Sequence, residues 1–381
     1  MRIFIISRGY PSERDPQWGN FERDQAEALV QMGHEVAILS VDGRFRLFWR
    51  HIGLTITKGN GVTAYNSFFA PAKLTALLGN RFMQYVRHKQ FDMVYKAAVK
   101  DYGKPDLLYS HYLFNSYNAL FLKEKYGIPL VGIEHWSELA KEHLLPRIEY
   151  WGNNTYSKLD GLITVSPFLQ RRIKEKFGVD STVVYNMQGK EFGYIPSNHS
   201  SKKVRYIFVG SLLPIKRVDL IIEAFAKSEI PQDDWQFYVV GDGAHRKTLE
   251  ELSARLGLEK NILFLGKKKK EDIVGLYQES DVVLLASDIE TFSVASIEGL
   301  ACGLPVLSTR CGGPECFINE KNGLLSPVGD VDAYAAALRQ MQNTIGKYNR
   351  QQISDECKAQ FSSQVIARQL TAVFEQVLKK E

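Results

Sequence analysis

Asp281-Val282-Val283-Leu284-Leu285-Ala286-Ser287-Asp288-Ile289-Glu290-Thr291-Phe292-Ser293-Val294-Ala295-Ser296-Ile297-Glu298-Gly299-Leu300-Ala301-Cys302-Gly303-Leu304-Pro305-Val306 reads as strand, loop, helix and strand. An apolar strand ends at Ala286, a polar loop follows, and a helix opens near Ser293 and covers Ala295–Cys302. Apolar residues resume at Pro305–Ser308 as the next strand. A Val/Leu run with no polar alternation is what a parallel strand covered on both faces requires.

The same alternation extends in both directions. Toward the amino end of this half, strands read at Val204–Val209, Gln236–Val240 and Asn261–Leu265, with helices near Val218–Lys227 and Arg246–Leu256 and, beyond, Val331–Met341. The first half repeats the pattern. Its strands are Ile3–Ser7, Val36–Val41, Leu107–Ser110, Leu130–Ile133 and Leu162–Val165, and Gly33 stops the first helix, Phe21–Met32. Residues 188–203 are polar, with Gly189, Gly193, Pro196 and a Ser-Asn-His-Ser-Ser run, the composition of a linker. The reading is α/β: two tandem Rossmann-like, doubly wound domains, 1–187 and 204–361, joined by 188–203, with ligands at the carboxyl ends of the strands, facing a cleft. In 362–381 the residues Val365, Ile366, Leu370, Phe374, Val377 and Leu378 follow helical spacing. A helix with such a face docks against a domain, and the first is the expected one.

Composition narrows the class. The chain has 381 residues, 45% hydrophobic and 24% charged, which excludes collagen-like, disordered and disulfide-scaffold proteins. Its four cysteines, Cys302, Cys311, Cys316 and Cys357, lie in the last quarter and suit a reducing compartment. The apolar run at the start ends by Ser7-Arg8, too short for a signal peptide, and no stretch matches a spanning helix, so a cytoplasmic protein is expected. The formal net charge of +5 is uneven: residues 1–199 carry 25 Lys+Arg against 19 Asp+Glu, and residues 200–381 carry 23 against 24. Arg44-Phe45-Arg46-Leu47-Phe48-Trp49-Arg50-His51 interleaves cations with aromatics, which suits an anionic membrane surface or a loop with its rings turned inward. The basic stretch Arg81–Lys104 reads as a solvated helix face.

The chemistry centres on Glu290 and Glu298. Carboxylates accept paired hydrogen bonds from vicinal hydroxyls, and the helix start between these two offers free N–H groups to an anion. Sugar hydroxyls and phosphate could share such a place; a capping loop beside a solvated helical glutamate fits the spacing equally well.

The two glutamates with seven residues between them, followed by Ala-Cys-Gly-Leu-Pro-Val, resemble the retaining glycosyltransferases of family 4, which have the GT-B fold. Further matching pieces run in order: Gly33-His34-Glu35-Val36, Gly127-Ile128-Pro129-Leu130-Val131 through Glu134-His135-Trp136-Ser137, Tyr185-Asn186, and Val209-Gly210 through Lys216. Val240-Gly241-Asp242-Gly243, Phe264-Leu265-Gly266 and Gly312-Gly313-Pro314-Glu315 complete them. By resemblance, Glu298 holds the nucleotide ribose and Glu290 stands beside the donor sugar. Backbone N–H groups around Phe292, Ser293 and Val294 lie near the sugar and diphosphate, and Lys216 neutralises the diphosphate. His135 comes from the first domain near the reacting centre, and backbone at Gly266, Lys267 and Lys268 meets the base. The implied reaction moves a sugar from a UDP- or GDP-sugar to a lipid-linked or soluble acceptor hydroxyl, as in envelope, exopolysaccharide or glycolipid assembly. It is retaining, needs no metal or cofactor, and involves no nucleic acid.

The chain departs from the family pattern in places. Ser211 replaces the usual phosphate-loop arginine, and Arg217 stands where glycine often follows the lysine. A lost guanidinium weakens the diphosphate clamp unless another cation substitutes, with Arg217 the nearest, or Arg217 is solvated at a helix start. Ser293 stands at a usual glycine, and of the first-domain glycine pair only Gly19 remains. Asp330-Val331-Asp332 follows Gly329 as an N-cap would, rather than as a metal site. The alternatives to transfer are a GT-B nucleotide-sugar epimerase or phosphorylase and, in a different class, a two-domain sugar-binding module without turnover.

Overall fold

The computed structural model describes residues 1–12, 15, 18–44, 51–68, 79–196 and 203–379. Residues 45–50 of the aromatic-basic segment lie outside them. The chain forms two compact units: Met1–Val165 with Gln170–Tyr185 and Ser363–Glu381, and Ser166–Leu169 with Asn186–Ser362.

The first unit is built on eight strands: β1 (Arg2–Ser7), β2 (Glu35–Val41), β3 (Gly53–Gly59), β4 (Val62–Phe68), β5 (Leu107–His111), β6 (Leu130–Glu134), β7 (Gly161–Thr164) and β8 (Thr182–Val183). Their order is β3-β4-β2-β1-β5-β6-β7-β8, parallel except where β3 pairs antiparallel with β4. Helices α1 (Asn20–Gln31), α2 (Asn80–Tyr102), α3 (Leu113–Tyr126), α4 (Pro146–Thr155) and α5 (Pro167–Phe177) connect them. Ile3, Phe4, Ile5 and Ile6 are all fully buried, as continuous apolar runs in a sheet covered on both faces must be. The β3–β4 hairpin was not among the expected strands. Its turn is Asn60-Gly61, both at positive φ (48° and 77°), and β3 is a largely exposed edge with no apolar run to reveal it.

The second unit has six parallel strands: β9 (Val204–Val209), β10 (Trp235–Val240), β11 (Ile262–Gly266), β12 (Val282–Leu285), β13 (Val306–Thr309) and β14 (Gly323–Ser326). Their order is β11-β10-β9-β12-β13-β14. The connecting helices are α6 (Val218–Lys227), α7 (Arg246–Arg255), α8 (Lys270–Gln278), α9 (Val294–Ala301) and α10 (Val331–Thr344), with α11 (Arg350–Phe361) following. Counted within the unit this is the 3-2-1-4-5-6 Rossmann order, and β4-β2-β1-β5-β6-β7 repeats it in the first.

Residues 188–203, read as a linker, are packed where they begin. The Gln188 amide donates to the Phe361 carbonyl, Phe192 is buried against Tyr277, and Glu191 pairs with Lys270 at 3.0 Å, all within the second unit. The last helix, α12 (Ser363–Leu378), belongs to the first unit. Its fully buried Phe374 meets Tyr109 edge-on at 4.9 Å, and Thr371 hydrogen-bonds His34 at 2.9 Å. Among the described residues no helix is long and apolar enough to cross a membrane.

Candidate functional site

In a doubly wound sheet the ligand crevice opens where strand order reverses, at the carboxyl ends of the two central strands. In the second unit these are β9 and β12, so the loops 210–217 and 286–293 lie side by side. The Asp288 amide donates to the Ile215 carbonyl at 2.9 Å and sets their register. Lys216 ends a tight turn, and its Nζ lies 2.5 Å from Glu290 Oε1, which also accepts from the Ser287 hydroxyl at 2.8 Å.

Glu290 is fixed from behind. Its amide donates to the Cys311 carbonyl and its carbonyl accepts from the Gly313 amide, both at 2.8 Å. Only glycine fits at 313, because a Cβ there would stand 2.4 Å from the Phe292 nitrogen. The Phe292 ring is buried against Phe317 and Phe361, so that residue anchors the loop and leaves its backbone to the site.

Ser293 then turns the chain into α9 at φ 80° and ψ 83°, a left-handed conformation that explains why glycine is usual there. No side chain caps α9, so its first N–H groups are available to an anion. Its hydroxyl hydrogen-bonds Ser296 at 2.8 Å, while Val294 and Glu298 are half-buried along the same helix.

The neighbouring strand ends close the rest. Gly241, at φ 135°, lets the 241–243 loop lie on Gly210, where a Cβ would sit 1.8 Å from the carbonyl oxygen. The Gly241 amide donates to the Gly266 carbonyl at 2.9 Å, which brings the β11 end into the same rim. Lys267 and Ser211 are exposed there. Arg217, itself at φ 49°, gives its guanidinium to Asp219 at 3.1 Å and Asp288 at 3.3 Å. Those carboxylates hold it at the rim, and it would have to release them to clamp a phosphate.

In the first unit Gly19 starts α1 at φ 84°, where a Cβ would be 2.2 Å from the Gly9 carbonyl oxygen, so the start of α1 lies against Gly9, just past the β1 end. His135 follows β6. Its ring stacks on His111 at 5.3 Å and on Phe21 at 6.3 Å and lies 5.2 Å from Tyr112. Beneath it Arg8 pairs with the fully buried Glu22 at 2.9 Å. Burial alone would raise the Glu22 carboxyl, but the charge and hydrogen bond of Arg8 hold it below the usual range. Burial drives His111 down to about 3, partly opposed by Glu22, so it is neutral. On the opposite side of β6, Glu134 is buried beside Tyr156, and that burial raises its carboxyl well above the usual range. Neither Glu22 nor Glu134 was singled out by sequence; only burial distinguishes them from solvated glutamates.

Asp330 caps α10, accepting from the Ala333 amide at 2.9 Å, and Asp332 pairs with Lys227 at 2.7 Å. Among the described residues no group of three or more His, Cys, Asp or Glu is placed to hold a metal. Cys302, Cys311 and Cys357 are buried and Cys316 partly exposed, none of them in a disulfide.

Residues 194–354 match the family described as Glycosyl transferases group 1, and residues 20–187 match Glycosyltransferase Family 4. The uncharacterized glycosyltransferase MJ1178 of Methanocaldococcus jannaschii is 30% identical over 58% of this chain and 61% of its own length. The N-acetyl-alpha-D-glucosaminyl L-malate synthase of Bacillus anthracis is 31% identical over 50% of this chain and 49% of its own. The chain thus spans about half to three fifths of these curated relatives. Over its whole length it is similar in fold to the sucrose-phosphate synthase of Thermosynechococcus elongatus, with TM-score 0.79, 19% identity and 100% of both chains covered. It is also similar to Anabaena HepE in complex with UDP-glucose, with TM-score 0.72, 19% identity, and 99% of this chain and 100% of that one covered.

Proposed function

Because the chain belongs to the group 1, family 4-like glycosyltransferases of GT-B fold, we propose that it moves a sugar from a nucleoside diphosphate sugar to an acceptor hydroxyl with retention of configuration and without a metal. The observation that carries this reading is the Lys216–Glu290 pair at the strand-order switch point, next to the uncapped start of α9. Cleaving a glycosyl–phosphate bond builds positive charge on the sugar ring and negative charge on the departing diphosphate. A lysine ammonium and fixed N–H donors stabilise that negative charge without reorganising during the reaction.

In this reading Lys216 and the backbone at Phe292, Ser293 and Val294 receive the diphosphate, Glu290 the sugar hydroxyls and Glu298 the ribose. Gly266 and Lys267 border the base, and Gly19 shapes the first unit's loop. His135 serves the reacting centre, and no protein nucleophile is required, since the leaving phosphate takes the acceptor proton. The donor is a UDP- or GDP-sugar and no cofactor takes part. The acceptor belongs to envelope, exopolysaccharide or glycolipid assembly on the cytoplasmic side.

A thermal-shift screen against UDP-, GDP- and ADP-sugars tests the donor class, because a ligand bound only by the native state raises its stability by mass action. Stabilisation by one nucleotide series, with nucleotide released when acceptor is supplied, is expected. Free interconversion of nucleotide sugars without acceptor would identify an epimerase instead, and sugar binding without nucleotide release a non-catalytic module.

A further inference from the structure

Among its described residues the first unit carries a half-buried cation with no carboxylate against it. Arg87 lies in the second turn of α2, which returns from the carboxyl end of β4 to the amino end of β5, so this turn sits at the carboxyl-end side of the sheet. Its guanidinium lies 4.4 Å above the Phe114 ring. Among the described residues no carboxylate pairs with it, whereas Arg2, Arg8, Arg23, Arg44 and Arg172 in the same unit all have one. Burial pushes the Arg87 guanidinium down to about 10, with no acid to offset it. A partly desolvated cation costs stability unless a counter-charge meets it, and none comes from the described residues.

The surroundings suit a particular counter-charge. Phe114 meets Trp151 at 5.2 Å, Trp151 meets Tyr117 at 6.2 Å, and Arg147, also without an ion pair among the described residues, stands 5.9 Å from the Trp151 ring. Aromatic faces stack on the C–H faces of sugar and polyol rings, and a guanidinium fork grips phosphate oxygens in pairs. The position is also chemically apt. Phe114 is two residues from Tyr112, whose ring packs on His135 at 5.2 Å, and two residues span at most about 7 Å. The Phe114–Trp151 wall and the His135 ring therefore both flank the connection from β5 into α3.

We propose that Arg87, backed by Arg147 and the Phe114–Trp151 wall, binds the phosphate of a phosphorylated sugar or polyol acceptor. This deepens the glycosyltransferase reading and rests on it for the word acceptor; the phosphate site itself stands on Arg87.

The test is calorimetric titration of the full chain, wild type, Arg87→Gln, Arg87→Lys and Arg147→Gln, with inorganic phosphate, glucose 6-phosphate and glucose. Co-sedimentation with phosphatidylcholine vesicles, with and without phosphatidic acid, is run in parallel. The expected result is saturable binding of glucose 6-phosphate but not glucose, weakened at least tenfold in Arg87→Gln and several-fold in Arg87→Lys and Arg147→Gln. Binding confined to phosphatidic acid vesicles and lost in the same variants supports the site with a lipid-borne phosphate. Equal binding by wild type and folded Arg87→Lys, or no binding of any phosphate probe, overturns it. UDP and GDP are titrated into the same wild-type sample. A protein that binds nucleotide but no phosphate probe leaves the glycosyltransferase reading intact and removes only this inference; one that binds neither removes both.

Discussion

The ammonium of Lys216 lies 2.5 Å from the carboxylate of Glu290, 74 residues further along the chain. The contact has a consequence for ligand binding: without donor, Glu290 occupies the cation that a diphosphate needs. Lys216→Met should therefore lower kcat/KM by about 10²–10³, the usual cost of losing one preorganised charge donor. Glu290→Gln should separate the two roles, with nucleoside diphosphate affinity unchanged or raised while turnover falls. Calorimetry with the diphosphate beside a turnover assay checks both.

Ser293 holds φ 80° at the entrance to α9, a conformation that disfavours any side chain and β-branched ones most. Ser293→Gly should leave stability within about 1 kcal/mol of wild type, losing the Ser296 hydrogen bond and relieving strain. Ser293→Val should cost about 1–3 kcal/mol. Urea unfolding of the three proteins measures the difference.

Gly313 bears directly on the loop that carries Glu290. A Cβ there would lie 2.4 Å from the Phe292 nitrogen, so Gly313→Ala must push the 290–293 backbone outward. Donor affinity should fall at least tenfold, read as a loss of nucleotide-induced thermal shift.

His111 gives the first unit an acid-sensitive element. Burial holds its folded pKa at about 3, while an unfolded histidine titrates near ~6.5. Between these values the unfolded chain takes up a proton that the folded chain refuses. The stabilisation is complete above pH ~6.5 and is lost as pH falls toward 3. Glu22, whose pKa is depressed, adds a loss that begins only below the unfolded carboxylate value of 4.5. His111→Phe keeps a flat ring without a titrating group, so its stability should decline less than wild type from pH 7 to 5, the remaining slope coming from His34 and His88, which burial also lowers. Denaturant midpoints across that range decide it.

The parallel cores were legible because a strand buried on both faces leaves an uninterrupted Val/Ile/Leu run, as at Ile3–Ile6 and Val282–Leu285. The β3 edge escaped because its exposed residues carry no such run and Asn60-Gly61 alone marks the turn. At the site, the glutamate spacing and Lys216 could be read from sequence because they sit on one strand–loop–helix unit and one phosphate loop. What the sequence could not convey was who pairs with whom. Sequence alone leaves Arg217 either a substitute clamp or a solvated helix-start charge, whereas Asp219 and Asp288 hold it. It reads Arg87 as one charge on a solvated helix face, whereas no carboxylate among the described residues pairs with it.

In the proposed reading the second unit holds a nucleoside diphosphate sugar at its strand-order switch point. The most direct measurement is calorimetric titration of UDP, GDP and ADP into wild type and Glu298→Ala. One nucleoside diphosphate should bind wild type saturably, and Glu298→Ala, with an unchanged melting temperature, should weaken it at least tenfold by removing the ribose acceptor. Failure of all three to bind, or equal affinity in the two proteins, would contradict the account.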